Sequence, residues 1–365
     1  MKDNLDSLYS IAWRRLKKNK IAMAGLFFIL LVMIVSILGY LITPDSTPFA
    51  NDQLLEIAAK KPGFKIKMLL IPKENRIYKK NLLREMLYGS FSQYKSIPVN
   101  DDYKINDNVI TYSEYTGEKP VISDLKTIRI SQNGYSQIIT KRFFLGTDRY
   151  GRDVLSQLII GARVSLSVGF ISVFISLIIG ITMGALAGFY RGWVDNLILW
   201  IINVVWSIPT MLLVIAITFA LGKGFWQVFI AVGLTMWVEV ARVVRGQVLS
   251  IREKDYIEAA RALGFSDLRI ITRHILPNVY GSVIVISAAN FASAILIEAG
   301  LSFLGIGVQP PMPSWGTMIK QHYSYLLLDV PSLAIIPGLA IMLLVLSFML
   351  LGNGLRDSFD PKYIN

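Results

Sequence analysis

The sequence predicts an all-α polytopic membrane protein with six transmembrane helices and a small α+β extracytoplasmic insertion between helices 1 and 2. Three observations predict it. Of 365 residues, 53% are hydrophobic and 17% charged, with mean hydropathy +0.51, more apolar and less charged than a soluble protein of this length. The apolar residues gather into six long runs, and a bilayer core about 30 Å thick needs ~20 of them per helix. Between the first and second runs lies a polar stretch rich in Lys, Asn, Tyr and Ser.

The first run, residues 21–42, carries no charge. It exceeds a signal-peptide core of about 7–15 residues, and no clear A-x-A site follows, so it reads as a retained anchor. The second is 164–190, where Gly180, Gly184 and Gly188 fall on one face and permit close helix contact. The third is 197–221, which Pro209 is expected to kink. The fourth, 225–248, carries Glu239, Arg242 and Arg245 near its end; Glu239 and Arg242, three residues apart, are placed to pair. The fifth, 279–308, has one charge, Glu298, and the sixth is 333–355.

Orientation follows from the short flanks. The N-terminal segment 1–20 contains Arg14, Arg15, Lys17, Lys18 and Lys20, which puts it in the cytoplasm. Six crossings return the tail 356–365 to the same side. The loop 249–278, with Arg252, Lys254, Arg261, Arg269 and Arg273, then also falls inside. The net charge of +12 is thereby assigned to cytoplasmic loops facing membrane lipid, not to nucleic acid.

The segment 43–163 falls outside. Stretches 64–70, 109–115, 125–130 and 135–140 have strand composition, and 81–87 looks helical. Lys61-Pro62-Gly63, Thr116-Gly117 and Asn133-Gly134 are turn signals between them.

Chemistry is largely excluded. Cysteine is absent and the only histidines are His274 and His322, so neither thiolate nor His-cluster metal sites are expected. Gly222-Lys223 is not a phosphate loop, because Ile217 occupies the place of its first glycine. No catalytic residue, cofactor or metal is expected, and the chain does not read as an enzyme.

Three constellations remain. In the loop 249–278, Asp255 is placed to cap a helix 256–263 that Gly264 ends, and Ser266 a second helix 267–276 that Pro277 stops. Ala259 and Ala260 would let a partner surface approach closely, with Glu258 at the edge; an ordinary interfacial amphipathic helix is the other reading. Before the second run, Gly146 and Gly151 allow a tight turn, and Asp148, Arg149, Arg152 and Asp153 can pair among themselves. A solvated turn is one reading; a gate or docking edge on the outside of the pore is the other. Because surface pairs stabilise by only ~0–1 kcal/mol, shape or docking explains so dense a cluster better than stability does. Glu298, a carboxylate at membrane depth, either faces the transport path, pairs with a lysine or arginine of another subunit, or sits near the interface.

Glu258-Ala259-Ala260, then Gly264, then Leu276-Pro277 resembles the EAA motif of ABC-transporter importer permeases. His274 stands where that family usually has Ile, a mild departure. Leu145-Gly146-Thr147-Asp148-Arg149-Tyr150-Gly151-Arg152-Asp153-Val154 resembles the LGTDxxGRDV signature. The run from Glu298 to Gly307, followed by Pro310, Pro311, Pro313, Trp315 and Gly316, resembles the family's fifth-span ending. Both are typical of the C-type permease of dipeptide, oligopeptide and nickel importers. The resemblance covers 14–42 and 143–363 but not most of 43–141, an unusually large insertion. Asn203 stands where the family often has Asp.

The resemblance implies a type I importer permease fold in a bacterial inner membrane. It implies half of a pore shared with a second, B-type permease subunit, two cytoplasmic ATPase subunits that use the ATP, and an extracytoplasmic substrate-binding protein. Glu258, Ala259, Ala260, Gly264, Leu276 and Pro277 would form the ATPase-coupling contact. A stand-alone secondary transporter is the alternative; it would need coupling-ion sites and often shows inverted repeats, and no convincing repeat links the two halves. A signalling receptor would need a cytoplasmic output domain, which the chain does not contain.

Overall fold

The computed structural model describes residues 8–73, 81–106, 109–116, 125–129, 137–222 and 224–359. The turn signals at Gly117 and Asn133-Gly134, residues 130 and 135–136 of two expected strands, Lys223 and the end of the tail lie outside them. The chain forms two compact units. One comprises Met1–Val32, Ser165–Gln309 and Ala340–Asn365; the other comprises Met33–Val164 and Pro310–Leu339.

Helices dominate the first unit. Helix α1 (Leu8–Lys18) was not expected as a helix; it buries Ala12 and Leu16. Helix α2 (Lys20–Ile42) follows at once, started by Asn19, whose side-chain oxygen accepts the Ala22 N–H. The second run becomes α4 (Val154–Tyr190), beginning ten residues earlier than hydropathy alone suggests. The fourth becomes α7 (Phe225–Arg252), the fifth α10 (Leu276–Leu304) and the sixth α12 (Ser332–Phe359).

The third run is not one helix. It divides into α5 (Gly192–Ser207) and α6 (Thr210–Leu221), bent by 94°. Pro209 drives its predecessor out of the α region, and Ile208 accordingly lies at φ −96°, ψ 128°. Among the described residues, five helices are therefore long and apolar enough to cross a membrane, or six if the bent pair counts as one span.

Close helix contact is built on α4. A Cβ at Gly180 would lie 2.5 Å from Val240 Cβ, one at Gly184 2.5 Å from the Ala241 carbonyl, and one at Gly188 2.8 Å from Val248 Cβ. All three neighbours belong to α7, so the four-residue glycine repeat lets these helices touch backbone to backbone.

Among the described residues, the second unit contains two antiparallel three-stranded sheets. One has the order β2-β1-β6, with β1 at Phe64–Pro72, β2 at Tyr94–Val99 and β6 at Gln137–Phe143. The other has the order β3-β4-β5, with β3 at Lys104–Asn106, β4 at Val109–Ser113 and β5 at Leu125–Arg129. Pleat alternation lets β1 serve two cores. Ile66 and Met68 join Leu54, Ile57 and Phe143, while Leu69 joins Val99, Ile110 and Tyr112. Strand β2 was not among those expected; it contains Pro98, which an edge strand accommodates. Short helix α3 (Leu82–Tyr88) lies between β1 and β2.

Candidate functional site

The loop after α7 is a built structure. Helix α8 runs Asp255–Ala262, one residue earlier than expected, so Asp255 sits in its first turn and Lys254 is the cap. Asp255 there complements the positive end of the helix. Helix α8 ends in a double backbone closure: Gly264 N–H donates to Arg261 O (2.9 Å) and Phe265 N–H to Ala260 O (3.2 Å). That geometry needs a left-handed residue after the cap, and Gly264 has φ +76°.

The second half differs from expectation. Helix α9 (Asp267–Ile270) follows Ser266, whose side chain makes no capping bond. A wider π turn, Ile271–Ile275, then leads straight into α10. Pro277 does not stop a helix; it sits in the first turn of α10. The π turn, in which Leu276 N–H donates to Ile271 O, carries the chain past a ring that would otherwise meet the carbonyl four residues back.

The two alanines face opposite ways. Ala260 is 4% exposed and packs with Ile257, Ile270, Ile271 and Ile275 against Val244, Val248 and Ile251 of α7, Phe189 of α4 and Val279 of α10. Of the expected contact, Glu258, Ala259, Gly264 and Pro277 are exposed, Leu276 is half-buried and Ala260 is buried. Grouping Ala260 with them on one outer surface is corrected: adjacent residues on a helix point about 100° apart, and Ile257, three residues earlier, fixes Ala260 inward. The exposed surface is instead extended by Leu263 (73% exposed) and Leu268 (71%). Two leucines in water beside a polar loop are the kind of feature that a partner covers. Phe265 anchors the turn, with His274 stacked on its ring and the Arg269 guanidinium over it.

The rim of this loop is tied to other helices. Arg191, just before α5, pairs with Glu253, just after α7. Arg252 donates to the Phe189 carbonyl. Arg245 grips Asp195 through two bonds of 2.6 and 2.8 Å. Arg242 does not turn to Glu239; it lies 3.5 Å from the Trp206 ring centre and donates to Asn203 (3.3 Å). These partners are about 40 to 60 residues away in sequence, so helix spacing alone could not find them.

Asp148, Arg152 and Asp153 are buried, contrary to the expected gate or docking edge, while Arg149 is exposed. Asp148 is 1% and Arg152 4% exposed. Asp148 accepts the N–H groups of Tyr150 (2.8 Å) and Arg152 (2.9 Å) on one oxygen and the Arg152 guanidinium (2.6 and 2.7 Å) on the other. Arg152 also donates to Gln321 (2.8 Å) and Asn51 (3.3 Å). Asp153 caps α4, accepting Ser156 N–H at 2.9 Å. Burial pushes the Asp153 carboxyl above its ordinary pKa, with the Ser156 bonds pulling the other way. The reason for the burial is backbone crowding: a Cβ at Gly151 would lie 1.7 Å from the Leu54 carbonyl, and one at Gly146 2.2 Å from that of Lys60. The turn is wrapped by residues 54–61.

His322, on α11 (Trp315–His322), stands behind this pair and is 1% exposed. Its Nδ1 faces the Met318 carbonyl at 2.8 Å and so carries the proton. Its Nε2 lies 3.9 Å from Asp148. Burial holds the imidazole below its ordinary pKa, against the pull of Asp148.

Glu298 is 0% exposed. Ser302 donates to it at 2.7 Å and Ser165 of α4 at 3.2 Å. It ties α10 to α4 instead of facing an open path. A cavity of about 680 Å3 lies between α7, α10 and α12, and its polar lining includes Gln247, Ser282, Ser293, Asn353 and Arg356. Among the described residues, no three His, Asp or Glu side chains gather as metal ligands.

Comparison with known proteins agrees with this architecture. Residues 180–365 match the family described as binding-protein-dependent transport system inner membrane component. Residues 7–62 match the N-terminal TM domain of oligopeptide transport permease C. The glutathione transport system permease protein GsiD of Pectobacterium atrosepticum is 44% identical over 219 residues, covering 60% of this chain and 72% of that protein. GsiD of Escherichia coli O157:H7 has the same identity and coverage. The dipeptide transport system permease protein DppC of Alkalihalophilus pseudofirmus is 43% identical, again over 60% and 72%. The chain belongs to the binding-protein-dependent transport system inner membrane components: it is a multi-pass permease subunit of an ABC importer, without an ATPase site of its own.

Proposed function

We propose that this permease imports peptides, working with a B-type permease, two cytoplasmic ATPase subunits and an extracytoplasmic substrate-binding protein. The names of its relatives support the cargo class. The observation that carries the mechanism is the two-faced helix α8. Outward, it offers Glu258, Ala259 and the flanking Leu263 to a partner; inward, Ile257 and Ala260 are packed against the ends of α4, α7 and α10. A partner that displaces α8 must therefore displace those helices. ATP-driven closure of the ATPase pair would bias the pore between two states through this contact. The permease itself is proposed to need no cofactor.

Six crossings are favoured by pairs of contacts that require loops to share a side. The Arg191–Glu253 pair brings together the start of α5 and the end of α7. With α7 crossing once, the bent α5–α6 pair must also cross a net single time. Arg152 donating to Gln321 brings the segment before α4 beside the segment after α10. Gly281 of α10 lies against Phe359 at the end of α12. With the basic flank Arg14–Lys20 inside, both termini and α8 are cytoplasmic, and the sheets and α11 are extracytoplasmic. The cavity between α7, α10 and α12 is our candidate for this subunit's share of the pore, since polar groups on membrane helices gather on water-filled paths.

Reconstitution tests this reading. Vesicles holding the permease pair and ATPases should accumulate labelled peptide only with ATP and binding protein. Uptake by this chain alone, driven by an ion gradient, would replace the reading with a secondary transporter.

A further inference from the structure

The insertion carries an apolar surface that the importer reading does not use. Helix α3 has no buried residue. Leu82, Leu83, Leu87 and Tyr88 are 65%, 64%, 49% and 69% exposed, and Phe91 just beyond is 61% exposed. A water-soluble domain would bury such a set; a patch of this kind marks an interaction surface.

Its attachment points identify the partner. Arg163 of α4 donates to the carbonyls of Met86 (3.0 Å) and Leu87 (3.1 Å), closing the C-terminal end of α3, and its guanidinium lies 5.7 Å from the Tyr40 ring centre. Gly89, which ends α3, presses on the same ring: a Cβ there would lie 3.1 Å from Tyr40 carbons. Ser90 N–H donates to the Ser46 carbonyl at 2.8 Å. Tyr40 is in the last turn of α2, a helix of 23 residues whose only charge is Lys20 at its start, just long enough for the bilayer core. The end of α3 is therefore pinned where a membrane helix leaves the hydrocarbon. In the same last turns of α2, Ile37, Leu41 and Ile42 are also exposed, as lipid-facing residues of a span would be. A groove of about 660 Å3 beside α3 is lined by Phe49, Tyr88, Phe91 and Tyr94 with Arg84 and Glu85. Aromatic rings with a basic side chain are the composition of a membrane–water interface.

We infer that α3 and the 88–94 segment lie in the headgroup region of the bilayer, docking the insertion onto the lipid surface through Leu82, Leu83, Leu87, Tyr88 and Phe91. Amphipathic segments bind this zone with the apolar face just below the headgroups. The inference needs α2 to be a span but does not depend on the cargo or on coupling through α8.

Because the chain has no cysteine, single probes can be placed cleanly. Leu83→Cys and, as a solvent-exposed comparison on β5, Thr127→Cys would each carry an environment-sensitive fluorophore in the full complex. Each would be measured in lipid nanodiscs of phosphatidylethanolamine and phosphatidylglycerol and in detergent-free discs of the same lipids carrying bromine near the headgroup. The expected result is a blue-shifted Leu83→Cys probe with several-fold weaker iodide quenching than Thr127→Cys and clear quenching by the brominated lipid. Equal iodide access at both sites would overturn the inference. So would protection of the Leu83→Cys probe that requires added binding protein, which would make the surface a protein-docking face.

Discussion

Placing a carboxylate at each of the two adjacent alanines of α8 should have opposite consequences. In Ala260→Asp the new group enters the cluster of Ile257, Ile270, Ile271 and Ile275, at a position 4% exposed. A charge buried without a partner costs about 3 kcal/mol or more, roughly two orders of magnitude in the population of the packed loop. In Ala259→Asp the group stays in solvent, where substitutions change stability by about 0.5 kcal/mol or less, but it adds charge to the proposed docking face. The assays are thermal unfolding of the purified permease and ATP hydrolysis by the assembled complex in response to binding protein. Ala260→Asp should lose stability and stimulation together. Ala259→Asp should keep its melting temperature and lose stimulation. Equal stability of the two variants would refute the inward–outward assignment, and full stimulation in Ala259→Asp would refute the docking role.

Other consequences follow from the same contacts. Asp148→Asn leaves Arg152 buried without its counter-charge and should destabilise the second unit by about 3–5 kcal/mol, read as a lower melting temperature; an unchanged value would mean that the pair is not buried. His322 has a folded pKa depressed below 6.5, so its contribution to stability is present above pH 6.5 and is lost as pH falls below it. Asp153, raised above 3.8, acts with the opposite sign, its contribution being lost as pH rises. Comparing the melting temperature of wild type and His322→Gln between pH 7.5 and about 5 isolates the histidine: the wild type should show the steeper loss on acidification. Gly184→Leu forces atoms into the Ala241 carbonyl of α7 and should cost about 1–3 kcal/mol or more, whereas Gly246→Ala on α7, with open space around it, should be tolerated in the same unfolding assay.

The legible parts of the fold are those set by local chemistry. Run length alone located α2, α7, α10 and α12 to within a few residues. The glycine repeat of α4 announced a close contact, though not that α7 provides it. Pro209 announced a break, but its 94° angle depends on how α5 and α6 pack. Within the candidate site, Gly264 as a helix stop was legible because only backbone geometry decides it. The inward turn of Ala260 had a signal in the sequence, its three-residue spacing from Ile257, which the adjacency of Ala259 obscured. Pro277 misled because the π turn that accommodates it leaves no residue signature. The burial of Asp148 and Arg152 could not be read at all, since it rests on Gln321, 169 residues away from Arg152, and on a backbone segment wrapped around Gly146 and Gly151.

The central claim, that α8 is the face through which ATPase subunits move this permease, is tested most directly by cross-linking. Single cysteines replacing Glu258, Ala259 or Ala260 in the naturally cysteine-free chain would be treated with a short thiol–amine cross-linker in inside-out and right-side-out vesicles of the assembled complex. The account predicts that positions 258 and 259 join to the ATPase subunit, with a yield that changes when ATP is bound, while position 260 does not react. Labelling of position 259 by a membrane-impermeant thiol reagent from the outer side, or its failure to reach the ATPase in either nucleotide state, would contradict it.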